Sequence, residues 1–331
     1  MAKRIAYLDM VKLVTIYLVI LGHVLIMMNP DLSVGGRLYT FIYTFHMPLF
    51  VLLSGYFAGA SLTKPFSTFL QTKARQLLLP AISCTIIACI YICLFRHQSD
   101  YRVEVIGNSW FLKILFIYFM LFYLLKKTGI NDWALFAVSA VFLFLVPMGS
   151  SLQLNLLYPY FWGGYFIRKY GILEKISTKR LYLFFFVILF VGLYICQQKQ
   201  GVPNYIPINV NTICYNWYLI AFRYLIGFSG CMMVILIISF LYNSFNLSSV
   251  FNKISIYGQK TLGVYVLQTI LVVNLFPDIY KWNIKSEFLL DMVLAPIISI
   301  VFLSICLWLI HMLSKNRTLD LLLFGGQYYK S

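Results

Sequence analysis

Charge is the scarcest property of this 331-residue sequence, in which Asp, Glu, Lys and Arg together make up only 11%. Soluble domains average about 25%, so an ordinary soluble enzyme is excluded. A disordered chain is excluded too, because disorder requires low hydrophobicity and high charge. Acidic residues are rarer still, 10 against 26 basic ones, and histidine occurs only four times. The seven cysteines are scattered, with no C-x-x-C pair and no Cys/His cluster. That removes a small disulfide scaffold, a zinc site and a redox dithiol from consideration. Cys196 and Cys214 flank one loop, where they could pair or remain idle thiols. The composition also excludes a collagen-like chain, and no internal repeat is evident, which disfavours the inverted-repeat transporters.

What the sequence does hold is apolar: 61% of it is hydrophobic and 18% aromatic. Ten membrane spans of about 20 residues would occupy roughly 200 residues, about three-fifths of the chain. Ten apolar runs are indeed present, near 11–28, 41–60, 77–95, 109–125, 133–148, 152–167, 181–196, 217–240, 261–276 and 288–313. The first could imitate a signal peptide, but Met27-Met28-Asn29-Pro30 offers no small-x-small cleavage site, so it reads as a retained span. Pro147, Gly149 and Ser150 join the fifth run closely to the sixth. The expectation is an all-α, polytopic membrane bundle of about ten transmembrane helices, a single domain over 1–331 with no separate soluble domain.

The net charge of +16 tests this topology. With the N-terminus inside, seventeen basic residues fall on inner segments, among them Lys64, Lys73, Arg75, Arg168 and Lys169, and only six on outer ones. Asp31, Asp100, Glu104, Asp278 and Glu287 fall outside. This asymmetry obeys the positive-inside rule and predicts an even span count with both termini cytoplasmic. The basic excess is therefore topology, with the lipid bilayer as partner and no nucleic acid required.

Three basic residues remain within spans: Lys12, Lys113 and Arg223. Ionisable groups there are costly and mark functional sites. Lys12 and His23 are eleven residues apart, which returns almost to the same helical face, with a rise of roughly 16 Å between them. They could line opposite ends of one polar cavity. Alternatively, Lys12 snorkels to the inner headgroups and His23 bonds a neighbouring helix. The second run carries His46 two residues before Pro48, then Ser54 and Gly55. Gly55 permits close helix approach, with Ser54 available to bond across it. Two of four histidines in consecutive antiparallel spans suit general-base work on a hydroxyl, or a purely structural interface. Arg223, mid-span, requires a partner or a polar cavity. His97 and His311 lie at span ends.

A family resemblance is carried by Arg4-Ile5-Ala6-Tyr7-Leu8-Asp9 through Lys12 to Leu21-Gly22-His23, where a basic residue, ten intervening residues and a histidine recur. It continues through Phe45-His46-Met47-Pro48-Leu49-Phe50, Leu53-Ser54-Gly55-Tyr56-Phe57, the segment 73–80, Trp110-Phe111-Leu112 and Gly258-Gln259-Lys260-Thr261-Leu262-Gly263-Val264-Tyr265. In these blocks the chain resembles the membrane acyltransferase-3 family, most of all the branch related to fucose 4-O-acetylases. Gln268 departs from the pattern, since many members place a histidine after that tyrosine.

The resemblance implies transfer of an acetyl group from acetyl-CoA to a sugar hydroxyl of a surface glycan or its lipid-linked precursor. It implies the bacterial inner membrane and acetyl-CoA as donor substrate, with no bound cofactor and no metal. His23 would be the general base and His46 a supporting or alternative one. Lys12 would line the donor path, Arg75 stand at its cytosolic mouth, and Arg223 stabilise negative charge deeper in. Asp9, Ser54, Trp110 and Tyr265 would support them. The rival readings are a lipid-linked glycan flippase, which needs no thioester, and a receptor or scaffold, which would tolerate substitution of both histidines.

Overall fold

The computed structural model describes residues 5–29, 36–96, 102–145, 153–206, 208, 210–244, 248–279 and 286–329. Lys3, Arg4, Pro30, Asp31, His97, Asp100, Lys281, Lys285, Lys330 and the junction at 147–150 lie outside the described residues.

Among the described residues each apolar run contains helix, and no strand occurs. In chain order, the main helices are α1 (Ala6–Met28), α2 (Arg37–Ala58), α3 (Phe66–Arg96), α4 (Trp110–Lys126) and α5 (Asp132–Leu145). They continue with α6 (Leu154–Lys169), α7 (Arg180–Gln200), α8 (Val210–Ser244), α9 (Thr261–Gln268), α10 (Glu287–Leu313) and α11 (Arg317–Phe324). In hydrocarbon the backbone must bond to itself, which long apolar runs achieve only as helix. Polar residues and glycines set the ends. The Asn316 side chain accepts from the Thr318 and Leu319 N–H groups to start α11, and Gly325 closes it at φ +70°, a left-handed value that glycine adopts without strain.

Among the described residues six helices are long and apolar enough to cross a membrane: α1, α2 extended to Ser61, α3, α7, α8 and α10. The expected count of about ten is not confirmed among the described residues, over which α4 has 17 residues, α5 has 14 and α6 has 16. α9 has 8 residues and runs on through a widened π-helical stretch, Thr269–Leu275, into Phe276–Ile279.

The chain divides into two compact units, each built from separated stretches. The first comprises the chain up to Thr15, Thr40–Lys64 and Tyr118–Gly258. Within it α2 and α6 meet backbone to backbone. A Cβ on Gly55 would lie 1.8 Å from the Phe161 carbonyl oxygen, and one on Gly164 would lie 1.8 Å from that of Leu52. Lipid is as apolar as the side chains, so helix association there depends on such close packing rather than on the hydrophobic effect. Aromatic rings fill the adjoining space: Phe122 meets Phe161, Trp162 and Tyr165 at 5.6, 5.2 and 4.9 Å. At the start of α5, Asp132 is buried and accepts from Lys126, from Lys169 at 2.6 Å and from the Tyr165 hydroxyl at 3.0 Å. Ser54 does not bond across the Gly55 contact as expected. It donates to the Phe50 carbonyl of its own helix at 2.8 Å, because a carbonyl one turn back is always within reach of a helical serine.

The second unit comprises Ile16–Tyr39, Pro65–Ile117 and the chain from Gln259 onward. The Tyr17 hydroxyl donates to the Pro296 carbonyl at 3.4 Å, and Arg96 donates to the Asn274 carbonyl at 2.9 Å. Gly325 seats the segment after α11 on α3, since a Cβ there would stand 2.2 Å from the Arg75 carbonyl oxygen. All seven cysteines, Cys196 and Cys214 included, are free thiols.

Replacing Gly164 by alanine should destabilise the purified protein by about 1–3 kcal/mol through overpacking, read as a lower melting temperature in detergent. Gly163→Ala is the control, because nothing lies within 4 Å of a Cβ at that neighbouring position. Equal losses in both variants would refute the backbone contact.

Candidate functional site

In the second unit the decisive group is His23, on α1. Its Nδ1 lies 2.8 Å from Oε1 of Gln268, which is fully buried at the end of α9. Hydrogen-bond accounting fixes the protons. The Thr269 hydroxyl donates its single proton to the Tyr265 carbonyl at 2.8 Å. It can therefore only accept from Gln268, whose Nε2 donates to it at 3.0 Å. With the amide nitrogen so committed, Oε1 is left as an acceptor, and His23 must carry its proton on Nδ1. Nε2 of His23 then presents a lone pair and makes no hydrogen bond among the described residues. A neutral imidazole held in one tautomer by a fixed acceptor is the arrangement a general base requires.

The expected supporting residues of this unit gather around the same helix. Tyr265 is buried and provides the carbonyl that anchors the Thr269 hydroxyl. Its ring contacts Phe111 at 5.6 Å, and Phe111 contacts Trp110 at 6.1 Å. Trp110 opens α4, where the sequence placed a span end. The π-helical stretch begins at Thr269, directly after Gln268. Such widened turns favour functional sites because they shift the register of the side chains that follow.

Arg75 lies on another π-helical turn, Ala74–Leu78, and is exposed. It borders two cavities of about 570 and 320 Å³ that share Arg75, Gly325 and Gly326. The larger is also lined by Thr68, Gln71 and Gln327, and the smaller by Arg317 and Tyr329. Two guanidinium groups beside a polar cleft suit phosphate oxygens, which they meet through planar, paired N–H donors.

The first unit holds the remaining candidates. Lys12 pairs with Asp9 at 3.0 Å, one turn back on α1, and its ammonium lies 4.5 Å from the centre of the Phe57 ring. Asp9 is thus a direct partner of Lys12. The Asp9 backbone is closely covered, since a Cβ on Gly258 would lie 1.8 Å from its carbonyl oxygen. His46 is buried and directs Nδ1 to the Ile42 carbonyl of its own helix at 2.7 Å. Tyr43 packs edge-on against it at 4.7 Å. Arg223 is buried mid-helix in α8, and its Nε and Nη1 atoms have no hydrogen-bond partner. Ser54 is occupied within α2. Among the described residues no cluster of His, Cys, Asp and Glu could hold a metal ion.

Sequence reasoning missed Gln268, Thr269 and Arg317. Gln268 registered only as a departure from a pattern, and Arg317 only as one more inner charge. A Gln-Thr pair inside an apolar run was the available signal, because polar side chains in a span must bond something.

These features define an all-helical protein with membrane-spanning helices and a tautomer-fixed histidine in one of them. The chain belongs to the acyltransferase domain family, whose model matches residues 5–311. It is similar to nodulation protein NolL of Mesorhizobium japonicum, at 32% identity over 212 residues, covering 60% of this chain and 57% of that protein. It is also similar to nodulation protein NolL of Sinorhizobium fredii, at 33% identity over 171 residues and 47% of each chain. The chain thus spans about half the length of these curated relatives. No solved structure matches it.

Nitrogen-15 NMR of histidine-labelled protein at mildly alkaline pH should find His23 neutral with its proton on Nδ1, assigned by the signal lost in His23→Ala. In Gln268→Leu the Nε2–H form, usual for free imidazole, should take over. An Nε2–H tautomer in the parent protein would refute the hydrogen-bond assignment.

Proposed function

We propose that this chain is a membrane O-acyltransferase that moves an acetyl group from acetyl-CoA to a sugar hydroxyl. The acceptor is a surface or capsular polysaccharide or its lipid-linked precursor. The observation that carries this reading is the His23–Gln268 hydrogen bond at 2.8 Å, which leaves Nε2 of His23 as a free base. Membership of the acyltransferase family supports it.

The thioester is already activated, so the protein has only to deprotonate an alcohol and stabilise an oxyanion. Nε2 of His23 takes the hydroxyl proton as the sugar oxygen attacks the acetyl carbonyl. The tetrahedral intermediate then expels the coenzyme A sulfur, which receives that proton from the imidazolium. Ester, thiol and neutral histidine result, with atoms and charge balanced. Gln268 holds the ring through this cycle, and its carbonyl oxygen stabilises the Nδ1–H of the transient imidazolium. His46 has a supporting role. Lys12, offset by Asp9, lines the donor path, and Arg75 and Arg317 receive donor phosphates at the cytosolic mouth. Arg223 contributes positive charge within the membrane, while Trp110, Tyr265 and Ser54 support the helices that carry these groups.

We place the protein in the bacterial inner membrane with ten crossings and cytoplasmic termini, on the seventeen-to-six distribution of basic residues. The single domain over 1–331 belongs to the same proposal. A lipid-linked glycan flippase has no use for a tautomer-fixed base, and no observation favours it.

His23→Ala should abolish glycan O-acetylation while leaving protein abundance intact, read as loss of one O-acetyl resonance from the surface polysaccharide. Unaltered acetylation would refute the assignment. Arg317→Gln should raise KM for acetyl-CoA roughly three- to tenfold, the worth of one charge-assisted hydrogen bond, with kcat preserved. An unchanged KM would remove Arg317 from the donor site.

A further inference from the structure

The first unit contains a buried cation that its own fold does not neutralise. Arg223 is 3% exposed, its Nε and Nη1 are buried without a hydrogen-bond partner, and none of the ion pairs among the described residues includes it. The cluster around it is otherwise well ordered. The Tyr160 hydroxyl donates to the Arg223 carbonyl at 3.2 Å, and the Tyr160 and Tyr224 rings lie 5.8 Å apart. The Tyr224 hydroxyl donates to the Asn155 carbonyl at 3.1 Å. Asn155 is 1% exposed and gives its Nδ2 to the Ile208 carbonyl at 3.0 Å. Its Oδ1, like the Arg223 nitrogens, is buried and unbonded. Gly227 seats Tyr160 against α8, because a Cβ there would lie 2.3 Å from the tyrosine oxygen.

An unpaired guanidinium in a low-dielectric interior is among the costliest arrangements a protein can keep, and an unbonded amide oxygen adds to that cost. Two groups relieve both: an oxyanion for Arg223 and a hydroxyl donor for Asn155. The Tyr160 and Tyr224 rings of the same cluster, whose hydroxyls meet the Arg223 and Asn155 carbonyls, have faces suited to the C–H groups of a pyranose. We propose that Arg223, Asn155, Tyr160 and Tyr224 form a binding subsite for a sugar that carries an acidic group, carboxylate or phosphate. This deepens the glycan-acceptor reading above and rests on it, by naming the acceptor class as acidic. It also specifies the charge that Arg223 meets as one resident on the ligand, present before any chemistry.

The test is binding, with no acyl transfer involved, so the transferase reading can stand or fall separately on His23→Ala. The full chain in zwitterionic nanodiscs is melted with glucuronate, glucose 1-phosphate, uncharged glucose or inorganic phosphate. Both acidic sugars should raise the melting temperature, and glucose and inorganic phosphate should do so far less. Arg223→Gln should weaken the acidic sugars by at least about tenfold, Arg223→Lys by less, and Asn155→Leu should weaken them while sparing inorganic phosphate. Without ligand, Arg223→Gln should melt no lower than the parent, since it removes an unpaired buried charge. Undiminished binding of acidic sugars by Arg223→Gln would overturn the proposal, as would an equal effect of glucose or of inorganic phosphate. Stabilisation seen only on doping the nanodiscs with phosphatidylglycerol would assign the anion to a lipid headgroup and overturn the sugar assignment.

Discussion

Inside a bilayer a polar group finds its partner within the protein or goes without, and nearly every polar feature of this chain follows from that constraint. Thr15, Thr44, Ser54, Thr85 and Ser299 all turn their hydroxyls to the carbonyl one turn back. His46 does the same with its ring. Lys12 has Asp9 beside it on the same helix. These are local solutions that hold the spans together and consume hydrogen-bonding capacity as they do so.

Against that background, two titratable groups stand out among the described residues. His23 reaches a residue 245 positions away in sequence, and the bond it makes commits one ring nitrogen and releases the other. Arg223 leaves Nε and Nη1 without a hydrogen-bond partner. On the function proposed above, the first of these groups serves as a base and the second as a cation that meets a ligand's anion; membership of the acyltransferase family is consistent with the first role.

Close backbone contact is the other consequence of a lipid environment. Gly55 and Gly164 each face a carbonyl of the opposite helix, and Gly258 faces that of Asp9. The glycine in the second apolar run was legible in advance as a place of close approach. Its partner helix was not, nor was the reciprocity with Gly164, because both depend on which spans become neighbours. Ser54 illustrates the same limit: its residue type suggested a cross-helix bond, and local geometry claimed it first.

Class, helix content and the basic asymmetry of the loops were readable from composition and order, because each is additive along the chain and needs no knowledge of contacts. The candidate histidines, Lys12, Arg75 and Arg223 were readable as well, since an ionisable residue in an apolar run is conspicuous wherever it lies. Among the described residues six helices are long and apolar enough to cross a membrane, so the expected count of about ten is not confirmed. The pairing of His23 with Gln268, the tautomer this imposes and the isolation of Arg223 required the folded chain. Each is a relation between side chains far apart in sequence, and hydrogen-bond geometry is set by distances that only packing brings within 3 Å.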